Sequence, residues 1–374
     1  MNFEYSEEQQ QLADSVRKYL ANEYDFEARK KILKSADGIS GPAWQTFAEL
    51  GLTALALPEA DGGFGGGAID LMASMEALGE ALVVEPLIDV VGLAARLVVR
   101  GGSAAQRAAL LPGVIDGSRR LAFGYLEPGR RYDTAPAATR ARRDGAGWIV
   151  EGDKRVVVGA PSASHLIVSA LAPEGASLFV VERDAPGLSV QAYRTVDGQA
   201  AATVTLNDVK LAADALLGEA GRAQPLIDEA IDFATALLCA DAVGTMKNAN
   251  ELTLEYLKTR KQFGVPIGSF QALQHRMVDM YIVCEQARSM AILAASRVDD
   301  PGVDAGERAR VVSSAKVKIA DAARQVSQES VQLHGGMGMT EEMKVSHSFR
   351  RLTTIAQRFG DADHHLERYA APGD

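Results

Sequence analysis

The chain has 374 residues, of which 47% are hydrophobic and 24% are charged, and its formal net charge is −10. This composition is ordinary for a globular protein, and the length exceeds that at which one hydrophobic core stops growing, so we expect two or three core regions. The acidic balance argues against general nucleic-acid binding, which requires a basic face, but it allows an anionic ligand in a locally positive pocket.

The cysteines and the N-terminal residues bear on the compartment. Cys239 and Cys284 lack the spacing of a metal site, and we expect them to be small buried residues in a reducing environment. The opening MNFEYSEEQQQ has neither the basic start nor the apolar stretch of a signal peptide. No run of about 18 apolar residues predicts a transmembrane helix. We therefore expect a cytoplasmic protein.

Residues 1–117 predict an N-terminal helical domain. Ser6 and Gln9 have the spacing of a capping box at the start of the first helix. Prolines at four positions are expected to divide the region into several short helices: Pro42, Pro58, Pro86 and Pro112.

Residues 118–222 predict a middle β-domain. Short β-rich runs occur at residues 148–150, 156–158, 178–181 and 204–206, separated by turn residues. Short strands at this spacing are typical of a small antiparallel barrel or sandwich.

Residues 223–374 predict a C-terminal four-helix bundle. Residues 226–258 are expected to form one helix, an apolar stripe marks the next, and an alanine-rich helix is expected over residues 307–333. Long helices with apolar stripes and short loops are typical of antiparallel bundles. The fold class is therefore α+β, with helices, then strands, then helices.

The glycine-rich segment at residues 62–67 superficially suggests a nucleotide-binding loop. It lacks a surrounding βαβ unit, and the segregated order of helices and strands argues against a Rossmann domain. We expect a turn between helices.

Four segments carry distinctive motifs: residues 49–63 (ELGL…PEADGG), residues 126–133 (LEPG…YD), residues 260–271 (RKQFGVPIGSFQ) and residues 332–338 (QLHGGMG). With these segments the chain resembles the acyl-CoA dehydrogenase family along essentially its whole length. The resemblance implies the fold named above, with FAD as cofactor and an acyl-CoA thioester as substrate. It implies α,β-dehydrogenation to the 2-enoyl-CoA, with electrons passing to an electron-transferring flavoprotein. The family resemblance also implies that the C-terminal bundle mediates a dimer and a tetramer of two dimers.

The last two segments carry the residues that the resemblance places at FAD, which is held largely by a neighbouring subunit. An arginine offers a fork of donors for phosphate oxygens, and paired glycines let backbone N–H groups approach an anion. The predicted cofactor-binding residues are Arg260, Gln262, Phe263, Gln271, Gln332, Leu333, Gly335 and Gly336, with Leu126 from the second segment. The alternatives are a helix-capping arginine, packing roles for the aromatic and glutamine side chains, and a helix-ending turn for the glycines.

The catalytic base is the feature that the resemblance does not supply. Phe359 and Ala234 stand where different family members carry a glutamate, and neither takes a proton. Asp241 lies on the same helical stripe as Ala234, two turns later, and Gly244 is expected to leave room beside it. We weigh Asp241 as a general base against a buried aspartate bonded to a Ser, Thr or Arg, or one at a subunit contact.

The flavin-ring side also departs from the family. Leu126 replaces a threonine that usually bonds the flavin, and residues 156–158 are three valines in place of a "WIT" stretch. Some bacterial relatives assemble from two unlike chains, and this sequence resembles the smaller one. The main hypothesis is an FAD-dependent acyl-CoA dehydrogenase subunit with Asp241 as candidate base. The alternative is a non-catalytic structural subunit that completes the FAD site of a partner chain.

His364 and His365 resemble metal ligands only superficially, because neighbouring residues on a helix point in different directions. We expect solvated side chains on a terminal helix and no metal.

Overall fold

The computed structural model describes residues 5–371. The chain divides into two compact units, each of which is built from stretches that are separated in the sequence. Of the described residues, one unit comprises residues 5–30, 68–83 and 235–371, and the other comprises Lys31–Gly67 and Val84–Ala234. The boundaries expected at residues 117 and 222 remain predictions.

The N-terminal region is helical, as predicted. Its elements are α1 (Glu7–Glu23), α2 (Phe26–Lys34), α3 (Gly41–Glu49), α4 (Ala68–Ala81), a π-helix (Ile88–Ala95), α5 (Arg96–Gly101) and α6 (Ala104–Ile115). The capping box is present, since the Gln9 N–H donates to Ser6 Oγ at 3.2 Å and the Ser6 N–H donates to Gln9 Oε1 at 2.9 Å.

Three of the four prolines lie at or just before the start of a helical element, and the fourth does not. Pro112 lies inside α6, which continues to Ile115. The expectation of a break there was wrong. A proline near the end of a helix removes one backbone N–H donor, but its own carbonyl can still accept a hydrogen bond from four residues later, so the helix can continue. The Asp116 N–H donates to that carbonyl at 3.0 Å.

The glycine-rich segment at residues 62–67 follows a short 3₁₀ helix (Glu59–Asp61) and leads into α4. It is a turn between helical elements, as expected.

The middle region is an eight-stranded sheet. The strands are β1 (Leu121–Gly124), β2 (Arg140–Asp144), β3 (Gly147–Val158), β4 (His165–Ala172), β5 (Gly175–Glu182), β6 (Leu188–Arg194), β7 (Ala200–Leu211) and β8 (Leu216–Leu217). Their order is β6-β7-β3-β2-β4-β5-β8, with β1 pairing β4. Most pairs are antiparallel, but β1 and β2 pair with β4 in parallel. One face of the sheet packs Trp148, Val168, Phe179 and their apolar neighbours into a core.

The C-terminal region is a bundle of long helices. Its elements are α7 (Gln224–Thr259), the strands β9 (Lys261–Gln262) and β10 (Val265–Pro266), α8 (Gln271–Arg297), α9 (Ala305–His334), α10 (Lys344–Gln357) and α11 (Ala362–Ala370). Helix α9 packs against α8, α10 and α11. The helix predicted over residues 226–258 and the one predicted over residues 307–333 are both present to within a few residues.

Two remaining expectations concern buried cysteines and membrane spans. Cys239 and Cys284 are both buried and unpaired. In the part of the chain from residue 5 to residue 371, no helix has the length and apolar character needed to cross a membrane.

Candidate functional site

Arg260 follows α7 directly and is exposed. Its backbone is fixed on both sides, because its N–H donates to the Tyr256 carbonyl and its carbonyl accepts from the Ile267 N–H, each at 2.8 Å. Within residues 5–371 its guanidinium makes no hydrogen bond or ion pair. The side chain therefore does not cap the helix and is available to a ligand's phosphate oxygens.

Phe263 lies at the tip of the β9–β10 hairpin and is 90% exposed. Its φ is +55°, a left-handed conformation that side-chain-bearing residues rarely adopt. Its ring meets Phe270 edge-on with centroids 6.0 Å apart. The hairpin thus holds an aromatic ring away from its own fold at some cost in backbone strain.

An aromatic stack joins the end of α7 to the end of α9. The rings of Tyr256 and His334 lie nearly parallel with centroids 4.4 Å apart. Tyr256 is one helical turn before Arg260, and His334 directly precedes Gly335. The stack therefore brings together the two segments that the sequence assigns to FAD.

The glycines after α9 present open backbone. A Cβ at Gly335 or Gly336 would meet no other atom within 4 Å, and Gly335 has φ +59°. Packing in this chain does not require glycine at Gly336, so the open space there is available to a ligand or to another chain.

His334 lies between the predicted cofactor-binding residues Leu333 and Gly335, and the sequence analysis did not single it out. It is 2% exposed, and its Nδ1 lies 2.8 Å from the Ser330 carbonyl, to which it donates. Burial lowers its pKa, so the ring is neutral and Nε2 is an acceptor. Among the described residues Nε2 has no partner. The sequence could have indicated this residue, because it directly precedes the paired glycines Gly335 and Gly336.

The other predicted contacts differ in accessibility. Gln262, Gln271 and Gln332 are exposed, whereas Leu333 is only 6% exposed. The Leu333 side chain packs inside the bundle, so only its backbone is available to a cofactor.

The segment around Leu126 carries a buried charge network in the other unit. Leu126 is half-buried, and its carbonyl accepts from the Arg155 N–H at 2.8 Å. The adjacent Glu127 forms an ion pair with Lys154 at 2.9 Å, and both side chains are at most 1% exposed. Sequence reasoning did not identify this pair.

Both members of the pair are charged near neutral pH. Burial favours a neutral Glu127, but hydrogen bonds from the Ala138 and Ala137 N–H groups and from the Lys154 ammonium outweigh it and hold the pKa at about 2. Burial lowers the pKa of Lys154 to about 8, against the opposing pull of the carboxylate.

Asp241 is buried at 1% exposure and forms an ion pair with Arg351 of α10, itself 5% exposed. The Thr245 hydroxyl donates to Asp241 Oδ1 at 3.3 Å. These contacts favour the alternative of an aspartate bonded to an arginine and a threonine.

The glycine that makes room for Asp241 is not Gly244. A Cβ on Gly79 of α4 would lie 2.2 Å from the Asp241 carbonyl oxygen and 3.0 Å from Oδ1. A Cβ on Gly244 would instead lie 1.9 Å from the Glu76 carbonyl oxygen. The sequence predicted the need for a small residue but not the helix that supplies it.

Neither family base position offers a carboxylate. Ala234 is fully buried, and Phe359 is a half-buried phenylalanine with φ +60°. The loop around Phe359 is held by Lys316, which donates to the Gly360 carbonyl at 2.6 Å, and by His365, which donates from Nε2 to the Phe359 carbonyl at 3.1 Å.

His365 is not solvated, which corrects the sequence expectation. It is 1% exposed, and its Nδ1 lies 3.1 Å from Ser313 Oγ. Burial lowers its pKa to about 3. Nε2 donates to the Phe359 carbonyl, so Nδ1 of the neutral ring accepts from the Ser313 hydroxyl. Ser313 is 52 residues away in sequence and Phe359 lies across a loop, so periodicity alone did not reveal these partners. Among residues 5–371 no cluster of potential metal ligands is found.

Three features at the ends of α7 and α9 fit a dinucleotide such as FAD. An unengaged guanidinium at Arg260 suits a diphosphate, open backbone at Gly335–Gly336 permits close approach, and the buried acceptor of His334 suits a hydroxyl or amine donor.

Comparisons with known families cover nearly the whole chain. Residues 6–118 match the acyl-CoA dehydrogenase N-terminal domain, residues 122–209 the middle domain, and residues 221–371 the C-terminal domain. The chain therefore belongs to the acyl-CoA dehydrogenase family. The predicted fold class is confirmed, and with it an FAD-dependent oxidoreductase that acts on acyl-CoA thioesters.

Individual relatives agree with this assignment. Acyl-CoA dehydrogenase FadE12 of Mycobacterium tuberculosis is 33% identical, over 92% of this chain and 90% of its own length. A variant of the Tcur3481–Tcur3483 steroid ACAD superposes with a TM-score of 0.88 at 33% identity, covering 97% of this chain and 96% of that one.

Two further solved structures are similar. The ChsE4–ChsE5 complex of Mycobacterium tuberculosis gives a TM-score of 0.90 at 27% identity, with 100% of both chains covered. The FAD complex of PigA gives 0.90 at 25% identity, covering 99% and 98%. None of these similarities favours the alternative of a non-catalytic subunit.

Proposed function

We propose that this chain takes part in FAD-dependent α,β-dehydrogenation of an acyl-CoA within an assembly that includes a second dehydrogenase-like chain. In this assembly Arg260, Phe263 and the segment around Gly335–Gly336 bind the adenosine side of an FAD shared between chains. Gln262, Gln271, Gln332 and the Leu333 backbone lie in the same two segments. FAD, when bound, supplies the oxidising group that accepts the β-hydrogen as hydride.

The exposed ring of Phe263 is the observation that carries this proposal. Phe263 is 90% exposed in a strained backbone conformation, so its edge contact with Phe270 gives it little stabilisation within its own fold. A ring held in this way gains its stabilisation from a contact outside the chain. Since Arg260 begins the same hairpin with an unengaged guanidinium, the contact is expected to include a phosphate-bearing ligand as well as protein.

Exposed apolar side chains support an oligomer. On α8, Val278, Tyr281 and Ile282 are exposed at 54%, 60% and 47%. Met337 and Met339, just after the paired glycines, are exposed at 49% and 74%. Neighbouring exposed apolar residues of this kind mark interaction surfaces. We propose a dimer or a tetramer in which this surface is covered.

The base is the reason for proposing a second, unlike chain. A general base must have a carboxylate free to take the α-proton, and Asp241 is engaged by Arg351 and Thr245. Ala234 and Phe359 have no carboxylate. We propose that the second chain supplies the base and the polar contacts that Leu126 lacks, and that this chain orients the shared cofactor.

Membership of the family supports a proposal for the electron acceptor. We propose that an electron-transferring flavoprotein reoxidises the assembly, and the net charge of −10 suits a basic docking face on that partner.

Gly336→Ala tests the proposed cofactor contact. Its new methyl group enters space that is empty in this chain, so the fold should be unaffected. If FAD lies against this backbone, the dissociation constant for FAD should rise about tenfold or more, equivalent to ~1.4 kcal/mol. Binding is measured by flavin fluorescence on the full chain, alone and mixed with the second chain.

Gly41→Ala is the matched control, because a Cβ at Gly41 also meets nothing within 4 Å and Gly41 lies in α3. Equal FAD affinity in wild type and Gly336→Ala would show that FAD does not lie against this backbone.

A further inference from the structure

The ion pair between Glu127 and Lys154 forms the centre of a buried polar network. The Glu127 carboxylate accepts three backbone N–H groups, those of Ala137, Ala138 and Thr139, at distances of 2.7–3.0 Å. Both carboxylate oxygens are used, because Oε2 accepts two of these donors and Oε1 accepts the third together with the Lys154 ammonium.

The lysine ties this network to the sheet. Lys154, on β3, also donates to the Tyr125 carbonyl at 3.3 Å and to Ser169 Oγ of β4 at 3.1 Å. Its three donors are therefore all engaged, one by the carboxylate and two by atoms at fixed positions beside the sheet.

These contacts close a loop. Glu127 is the first residue of the segment 127–139, and its carboxylate accepts from the backbone of the last three, so it links the two ends of the segment. The middle of the loop is held separately, since Gln224 donates to Thr134 Oγ1 at 2.8 Å and that hydroxyl donates to Asp228 at 3.2 Å. The loop between these attachments contains Arg131, whose φ is +49°.

A buried ion pair is an expensive way to stabilise a fold, since two apolar side chains of similar volume often stabilise it as well or better. Apolar side chains, however, cannot direct three backbone N–H groups to one point. The distinctive effect of Glu127 and Lys154 is therefore on the geometry of the loop.

We propose that Glu127 and Lys154 are positioning residues that clamp residues 127–139 against the sheet, so that the loop presents a fixed backbone to the flavin ring. The clamp itself follows from the contacts above. Its consequence for the flavin rests on the proposed function together with the resemblance of residues 126–133 to the family's flavin-side segment. With a leucine at position 126 in place of a hydroxyl-bearing residue, the loop acts through its backbone position.

Hydrogen exchange on the full-length chain tests the clamp. In Lys154→Met the amides of residues 137–139 should exchange at least tenfold faster than in wild type, while peptides from α8 and α9 keep their protection. Arg142→Met is the matched control, because Arg142 forms an exposed ion pair with Asp208 on the same sheet at 3.2 Å. It should leave exchange in the loop unchanged.

The rate of limited proteolysis is a second, independent measure of how firmly the same loop is held. Trypsin should cut after Arg131 several times faster in Lys154→Met than in Arg142→Met. If Lys154→Met does not fold, Ser169→Ala removes only one acceptor of Lys154 and should give a smaller change in the same direction. Unchanged exchange and cleavage in the folded variants would overturn the clamp.

The double variant Glu127→Gln, Lys154→Met separates positioning from stability. Removing both charges should restore much of the thermal stability lost in Lys154→Met, but the loop should still exchange quickly. Recovery of loop protection together with stability would show that the pair has no separate positioning role.

The consequence for the cofactor is measured on the flavin-loaded protein. In Lys154→Met and in the double variant Glu127→Gln, Lys154→Met, the visible flavin band should shift and kcat should fall, with KM for the acyl-CoA changed less than twofold. A fast-exchanging loop with an unaltered flavin band would leave the clamp intact but refute its role toward the flavin, and so would count against the proposed function of this loop.

Discussion

Replacing Arg351 by methionine tests whether Asp241 is a structural or a reactive carboxylate. Asp241 is 1% exposed and Arg351 5% exposed, so the variant would leave a buried carboxylate without its cation. Breaking a buried pair in this way costs about 3–5 kcal/mol. The Thr245 hydroxyl lies 3.3 Å from Oδ1 and 3.2 Å from the Gly79 carbonyl, so its single proton compensates the carboxylate only in part, and the expected loss is about 3 kcal/mol or more.

The double variant Asp241→Asn, Arg351→Met supplies the coupling energy. It removes both charges, so its cost should be well below the sum of the two single costs, with a coupling of about 1–3 kcal/mol. Urea unfolding followed by circular dichroism measures the free energies, with Arg324→Met as control because Arg324 and its partner Asp321 are mostly exposed.

The structural role of Asp241 would be refuted by a loss below about 1 kcal/mol in Arg351→Met. A carboxylate that tolerates loss of its arginine would be free to act as the base. In that case Asp241→Asn should abolish dehydrogenation by the assembly, whereas the ion pair predicts a variant that is less stable but still active.

Three further outcomes are expected. The pKa of Glu127 is about 2 in the fold against an ordinary 4.5, so the ionised carboxylate stabilises the fold above about pH 4.5, and this contribution is lost as the pH falls toward 2. In Glu127→Gln the free energy of unfolding, measured by denaturation at a series of pH values, should therefore fall less steeply at acid pH. Burial lowers the pKa of Lys316 to about 8, so the unfolded chain binds more protons than the fold, and stability rises with pH, between about pH 8 and 10.5. Lys316→Met should reduce this slope in a series of unfolding measurements at alkaline pH. Some slope should remain, because the pKa of Lys154 is also lowered to about 8. Gly79→Ala should destabilise the chain by about 3 kcal/mol or more in urea unfolding, because its methyl group would lie 2.2 Å from the Asp241 carbonyl oxygen; a stable Gly79→Ala would contradict the close approach of α4 and α7.

The sequence predicted the order of the elements well because that order is encoded locally. Helical stripes and turn residues defined α7 and α9 to within a few residues, and the spacing of Ser6 and Gln9 predicted their capping box. The parallel pairing of β1 with β4 was not predictable, since it depends on which distant strands become neighbours.

The candidate site shows the same limit for side chains. The stripe on α7 predicted that Asp241 faces the interior, but its partner Arg351 is 110 residues away and no local pattern connects them. Glu127 and Lys154 are 27 residues apart on a loop and a strand, and the pairing required knowledge of how the loop folds back. Family segments identified Arg260 and Gly335–Gly336, whereas the Tyr256–His334 stack that joins them emerged only from the structure.

The most direct test of the shared site is the flavin content and reactivity of this chain with and without a second dehydrogenase-like chain. Each preparation is saturated with FAD, freed of unbound flavin, and mixed anaerobically with an acyl-CoA while the visible flavin band is followed. We predict that the combined chains retain flavin and are bleached, that this chain alone retains little flavin, and that Asp241→Asn in the assembly bleaches at the wild-type rate. Full flavin content and equally fast bleaching of this chain by itself would contradict a site shared with an unlike partner.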